Sequence, residues 1–191
     1  MIGTVLLGFV LLFALSAVFF DAKGSDRGSR ISAILTGLAA VGASAVLFAI
    51  ILSNDFSYSY VASYSSIDLP LVYKISAFWA GQQGSFLLWL LIHALVGTYM
   101  VCTNRLTATG RIIYHLLTAM LVILVFIKSP FTPAEHIMPD GYGMNPLLQD
   151  PWMAVHPPII FIGYALLAVP FVYSLESMMR SPADGGFLAP M

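Results

Sequence analysis

Residues 145–164 read NPLLQDPWMAVHPPIIFIGY. Three residues that can cap a helix or bind a ligand each stand directly before a proline: Asn145 before Pro146, Asp150 before Pro151 and His156 before Pro157. An apolar run follows and continues to Met179. That is the length of roughly 20 residues with which a helix crosses the hydrocarbon core of a bilayer. Proline at the first helical position follows naturally on an Asn or Asp cap. Asn145 and Asp150 are therefore expected to open short turns, and Pro157 or Pro158 to open the long helix. His156 would stand just before that helix, beside Trp152, its backbone restricted by the next proline and its imidazole aimed in a fixed direction.

Outward from this stretch, the rest of the chain has the same character. Of its 191 residues, 59% are hydrophobic and 9% charged, with a mean hydropathy of +0.89. Soluble domains carry about 25% charged residues, so this composition requires an integral membrane protein. A net charge of −1 with no basic stripe excludes a nucleic-acid partner. A single cysteine, Cys102, excludes an internal disulfide and a CxxCH haem-attachment motif within the chain. No HxxxH, CxxC or HExxH spacing supports a zinc site, and no P-loop or GxGxxG element supports nucleotide binding.

The expected fold is all-α and membrane-embedded, with about five transmembrane helices over residues 2–20, 31–53, 84–102, 112–127 and 158–179. The fourth is the shortest, with room for a further turn at either end. Residues 1–20 lack a positively charged start, so they are expected to be a retained helix rather than a signal peptide. Lys23, Arg27 and Arg30 follow the first span, Arg105 and Arg111 follow the third, and Arg180 ends the fifth, whereas Lys74 and Lys128 lie on the other side. The excess of positive charge marks the cytoplasmic side and gives an N-out, C-in topology. Residues 54–83 and 128–157 are then the two long outer segments. In the first, Tyr58, Tyr60, Tyr64 and Tyr73 suit a membrane interface. The second is punctuated by Pro130, Pro133, Pro139, Pro146 and Pro151 yet rich in apolar residues, so it is a folded irregular segment or a set of short interfacial helices.

Two constellations could carry chemistry. The stretch 79–89, WAGQQGSFLLW, brackets two glycines, Gln82, Gln83 and Ser85 between Trp79 and Trp89. Its polar groups offer hydrogen bonds at membrane depth, but it reads more readily as a helix entrance with an aromatic belt and a close packing contact. The second is His156. A neutral imidazole held at the outer interface is a good axial ligand for haem iron; the alternative is an interfacial histidine bonded to a neighbouring loop. His93 is mid-span with Trp89 and Gly97 on its face, and is either functional or packed against a neighbouring helix. His115 is expected near the cytoplasmic interface, and His136, beside Glu135, in an outer loop.

With its Asn-Pro, Asp-Pro and His-Pro-Pro elements in order, and Gly163-Tyr164 behind them, residues 145–164 closely resemble the CcmF-type haem lyase family of cytochrome c maturation, with its relatives in nitrite-reductase assembly. Residues 73–89, YKISAFWAGQQGSFLLW, resemble the family's earlier block, W-x-G-x-E-G-S followed by tryptophan. Gln83 departs from the glutamate of many members, so a role that needs a carboxylate there does not carry over. The resemblance covers essentially the whole chain. It implies a protein that receives haem from a chaperone on the outer face of the bacterial inner membrane, holds it, and promotes its thioether attachment to the CxxCH of an apocytochrome c. It places the family's first outer axial ligand on His156, with Trp152, Pro157, Trp79 and Trp89 as further haem-site candidates. The family's WWD segment, second outer histidine and membrane haem-b histidines lie further along than Met191. The chain is thus expected to match only the N-terminal part of such a lyase, from a split gene or as a fragment, and to need a partner for the second ligand. The alternatives are a docking subunit for the haem chaperone or apocytochrome, and a transporter or channel with His93 on its path. The scarcity of polar residues in the first two spans, Thr4, Ser16, Thr36 and Ser44 among them, disfavours a channel.

Overall fold

The computed structural model describes residues 2–180; the tail SPADGGFLAPM, which by sequence alone reads as a loop that ends or is cut, lies outside the described residues. Five long helices dominate: α1 (Ile2–Ala22), α2 (Asp26–Leu52), α5 (Gln82–Cys102), α6 (Ala108–Ile127) and α7 (Pro151–Arg180), with α3 (Ser59–Tyr64) and α4 (Leu71–Ser76) between α2 and α5. Each of the five is long and apolar enough to cross a membrane, and the chain is an all-α, multi-pass membrane protein.

Four of the long helices form a ring: α1 packs on α2 and α6, α2 on α5, and α5 on α6. The sequence of α2 explains its part. Its inner face carries Ser32, Ala33, Thr36, Gly37, Ala40, Ala43 and Ser44, all buried. Lipid is as apolar as leucine, so helices in a membrane associate through close backbone approach and hydrogen bonds rather than hydrophobic burial, and small residues permit both. At Gly37 the Thr98 side chain of α5 fills the space a Cβ would need, and its hydroxyl donates to the Ala33 carbonyl at 2.9 Å. The fifth helix, α7, lies outside the ring against α5 and α6. Only 11% of its most apolar window is buried, against 50% in α6.

The two ends of the bundle are closed differently. At one end Arg111 of α6 donates from Nε to Asp21 at 2.7 Å and from an Nη to Asp26 at 2.6 Å. Asp21 ends α1 and Asp26 opens α2, so one guanidinium ties three helices together. Arg111 was counted above among the loop cations, but it is buried and committed to this cluster. Removing one partner of a buried pair leaves an uncompensated charge and costs about 3–5 kcal/mol. Arg111→Met is expected to lower the unfolding free energy of the detergent-solubilised protein by that order, seen as a lower thermal unfolding midpoint; an unchanged midpoint would show the cluster to be dispensable. At the opposite end the two long segments interlock. Tyr58 and Pro133 form an antiparallel bridge, and the Tyr142 and Gly143 N–H groups donate to the Ala62 and Ser65 carbonyls.

Four expectations are corrected. The fifth long helix begins at Pro151, not at Pro157 or Pro158, and contains Pro157, Pro158 and Pro170. α2, α5 and α6 begin at 26, 82 and 108, earlier than the apolar runs suggested; for α2 and α6 a capping turn precedes the run, in which Ser25 accepts from the Gly28 N–H and Thr107 from the Gly110 N–H. Tyr60 is buried rather than interfacial. His115 is buried in α6, not at the interface.

Candidate functional site

The N-terminal end of α7 is built as the cap residues require. Asn145 accepts from the Leu147 N–H at 2.9 Å, with Pro146 opening a single 3-10 turn. Asp150 accepts from the Trp152 N–H at 2.8 Å and the Met153 N–H at 3.4 Å, with Pro151 as the first helical residue. His156 therefore stands inside the helix, in its second turn, and not before it. Pro157 and Pro158 disfavour this because each removes a helical N–H donor. Pro158 leaves the carbonyl of Ala154 without its partner four residues on. Trp79 supplies the substitute: its indole Nε1–H donates to the Ala154 carbonyl at 3.0 Å. A freed backbone carbonyl at the edge of a membrane needs such a donor. Trp79→Phe removes it and is expected to cost about 1–3 kcal/mol, seen as faster hydrogen exchange across residues 151–156; unchanged exchange would refute the brace.

At 3.6 residues per turn, Trp152, His156, Gly163, Leu167 and Pro170 fall within about 60° of one another. All five are exposed, and they lie opposite Ala165, Val172 and Glu176, which are buried. His156 thus points away from the bundle of its own chain, in the outward face of α7, with Trp152 one turn above it. The other three candidates lie elsewhere. Trp79 and Pro157 line a cavity of about 90 Å³ together with Met144, Leu148 and Met153, between the two long segments and α7. Trp89 meets the middle of α7, its ring 5.8 Å from Tyr164 and 6.4 Å from Phe161. His156 and Trp152 share a face, whereas Trp79 and Trp89 hold the helix that carries them.

Spacing gave no sign of the knot at the head of α5. The Tyr60 hydroxyl donates to the carbonyls of Ala77 at 2.9 Å and Phe78 at 3.0 Å, and accepts from the Gly81 N–H at 3.2 Å. Burial pushes this phenol above its ordinary range, so it stays a neutral donor. A Cβ on Gly84 would collide with the Phe78 carbonyl oxygen and the Tyr60 hydroxyl. The WAGQQGS stretch is therefore a packed entrance whose glycine admits a backbone carbonyl.

His93 stacks on Tyr114 with ring centroids 4.3 Å apart and planes 11° from parallel, and the Tyr114 hydroxyl donates to the His93 carbonyl. The Tyr114 ring lies over Gly97. This is the packed-neighbour arrangement rather than an open path. His115 is also buried, on α6. His136 and Glu135 are exposed on the long segment between α6 and α7. No group of three or more His, Cys, Asp or Glu able to hold a metal ion occurs among the described residues.

Comparison with known proteins fits these features. The family model described as Cytochrome C assembly protein matches residues 79–183, more than half of the chain. The chain is 32% identical to the cytochrome c-type biogenesis protein CcmF of Escherichia coli K12 over 95% of its own length and 30% of that protein's. It is 30% identical to the cytochrome c-type biogenesis protein NrfE of Haemophilus influenzae, over 90% of its own length and 30% of the relative's. A solved structure titled Cytochrome c Heme Lyase CcmF superposes with a TM-score of 0.77 over 94% of this chain and 30% of that one, at 24% identity, which establishes a common fold. The chain spans less than a third of the length of the relatives it matches, and over that third it belongs to the cytochrome c assembly protein family.

Proposed function

We propose that the chain is the N-terminal haem-handling part of a cytochrome c haem lyase, set in the bacterial inner membrane with its N-terminus and both long segments outside. His156 is the axial ligand it contributes to haem, which is the substrate. The observation that carries this reading is the placement of His156. It stands near the N-terminal end of a helix braced by Trp79 and Trp89, exposed beside Trp152, and turned away from its own bundle. A ligand so placed serves a group held between this chain and something packed outside it. The aromatic and aliphatic surface of Trp152 and Ile159 suits an apolar macrocycle, and the outer interface lets propionates reach water. Pro157 and the residues beneath it keep the histidine's turn rigid.

The chain's share of the chemistry is positioning. Haem supplies two vinyl groups. Each cysteine thiol of the apocytochrome adds across one of them: sulfur bonds to one vinyl carbon, the thiol proton passes to the other, and nothing leaves. His156 fixes the iron and hence the direction the vinyl edges face. The second ligand comes from the rest of the lyase, carried on this polypeptide or on another. A second reading, a docking surface for the haem chaperone or apocytochrome, is favoured by the exposed Ile137, Tyr142 and Leu147 of the outer segment.

The test is haem content and product together. The chain, purified from membranes with the portion of the family sequence beyond its matched third, is expected to carry haem absorbance and to support covalent haem on a co-expressed CxxCH apocytochrome. An assembly that matures the cytochrome while a labelled haem analogue cross-links nowhere on α7 would replace the first reading with the second.

A further inference from the structure

The end of the bundle that Arg111 closes carries more positive charge than it uses. We infer that it binds the headgroup of an anionic phospholipid, between the start of α2 and the turn that joins α5 to α6, with an acyl chain lying along the α2–α5 seam. The inference is independent of the haem reading. It takes from the proposed orientation only that the lipid belongs to the cytoplasmic leaflet.

The charge is one half of the site. Arg111 holds both aspartates at this end, Asp21 and Asp26, and Glu176 accepts from the Thr107 hydroxyl. Arg27, Arg30 and Arg105 are exposed, and among the described residues none of them is in an ion pair with a carboxylate. Arg30 is nonetheless aimed. Its Nη2 donates to Asn104 Oδ1 at 3.0 Å, across the seam, and Asn104 holds a left-handed backbone, φ 53°, in the turn after α5. A guanidinium carries five N–H donors, so Arg30 keeps donors free for an anion placed beside Arg105, the residue after Asn104. Arg27 stands one turn before Arg30 on the same side of α2. Arginine meets phosphate through charge-assisted, often paired hydrogen bonds.

The apolar half continues the same stripe. At 3.6 residues per turn, Arg27, Arg30, Ile34, Val41, Ala45 and Phe48 fall within about 60° of one another, and none of them is buried. Val41, Ala45 and Phe48 line a cavity of about 330 Å³ between α2 and α5, with Leu91 and Leu95 on the opposite wall and Trp79 towards its far end. The near end, at Val41, is about 16 Å along the axis from Arg30. One leaflet's share of the hydrocarbon core is about 15 Å. An acyl chain whose phosphate sits on Arg30 therefore ends where the cavity opens, and its last carbons fill a gap that the two helices leave between them. Cations at one end and an apolar pocket at the other, one leaflet apart, match a phospholipid and not a free anion. The positive charge in excess of one phosphate selects an anionic headgroup, as cations beside a membrane do.

The test uses the chain with the rest of its assembly, purified in a neutral detergent. It is titrated with phosphatidylglycerol or phosphatidylcholine, and bound lipid is counted by native mass spectrometry. Phosphatidylglycerol is expected to bind at least about tenfold more tightly. Arg30→Gln together with Arg105→Gln should remove that preference, because each cation near the surface contributes roughly fivefold. Both side chains are exposed, so the unfolding midpoint in lipid-free detergent should not change. Lys128→Gln, at the opposite end of the bundle, should leave the preference as it was. Leu95→Trp narrows the cavity and should weaken both lipids while keeping their ratio. Equal binding of the two lipids by the unaltered chain overturns the inference, as does an undiminished preference in the double variant. Inorganic phosphate that displaces phosphatidylglycerol at equal ionic strength would reduce the site to one for a bare anion and overturn the lipid. His156→Ala should keep the full preference whether or not it keeps haem, which separates a failure here from a failure of the haem ligand.

Discussion

Replacing His156 by alanine is expected to remove haem from the assembled lyase while leaving the chain folded and inserted. The side chain is exposed and makes no contact that stabilises its own bundle, so its loss leaves no cavity and no unpaired buried group. Alanine is the better helix former by roughly 0.5 kcal/mol, so the unfolding midpoint should stay level or rise slightly. The effect therefore falls on the ligand alone. The haem absorbance band of the purified assembly should disappear or shift to that of a five-coordinate iron, and cytochrome c yield should fall with it. Added imidazole should restore part of the absorbance of His156→Ala if the missing interaction is an iron–nitrogen bond. A variant with full, unshifted haem absorbance would sink the assignment.

The largest expected effect on structure lies at Gly84. An alanine there drives its Cβ into the carbonyl oxygen of Phe78 and the hydroxyl of Tyr60. Neither can move freely. The carbonyl belongs to the turn that opens α5, and the hydroxyl is bonded to two carbonyls and the Gly81 N–H. Overpacking of this kind costs up to about 3 kcal/mol or more, and here it also breaks hydrogen bonds whose buried partners then go unpaired. Gly84→Ala should yield a protein whose segment between α2 and α5 is protease-sensitive and whose Trp79 no longer braces α7. Tyr60→Phe added to Gly84→Ala should recover only part of the loss, since the clash with the Phe78 carbonyl remains. Full recovery would show that the hydroxyl, not the backbone, is the constraint.

The glutamines and serine of 79–89 raise chemistry as a possibility, but the sequence favours a helix entrance. The structure supports the entrance. Ser85 donates to the Trp79 carbonyl at 2.9 Å and the glycines accommodate Tyr60 and Tyr64. Tyr60 is four residues into a stretch of alternating aromatics, and nothing in that alternation marks which ring goes inside. Likewise His115 and His93 sit on different helices, and one-dimensional spacing cannot reveal that they face a shared interior.

The sequence by itself determined the class, the number of long helices and the caps. Apolar length against bilayer thickness, and Asn or Asp before proline, are local properties that need no partner to act. It also singled out His156. Only the tertiary structure decided that this histidine lies within a helix rather than before it. Proline's local preference was overridden because Trp79, distant in sequence, supplies the donor that Pro158 withholds from the Ala154 carbonyl. And only packing decided which way the histidine faces. α7 buries Ala165 and Val172 against α5 and α6, and by helical periodicity this turns Trp152, His156 and Gly163 outward.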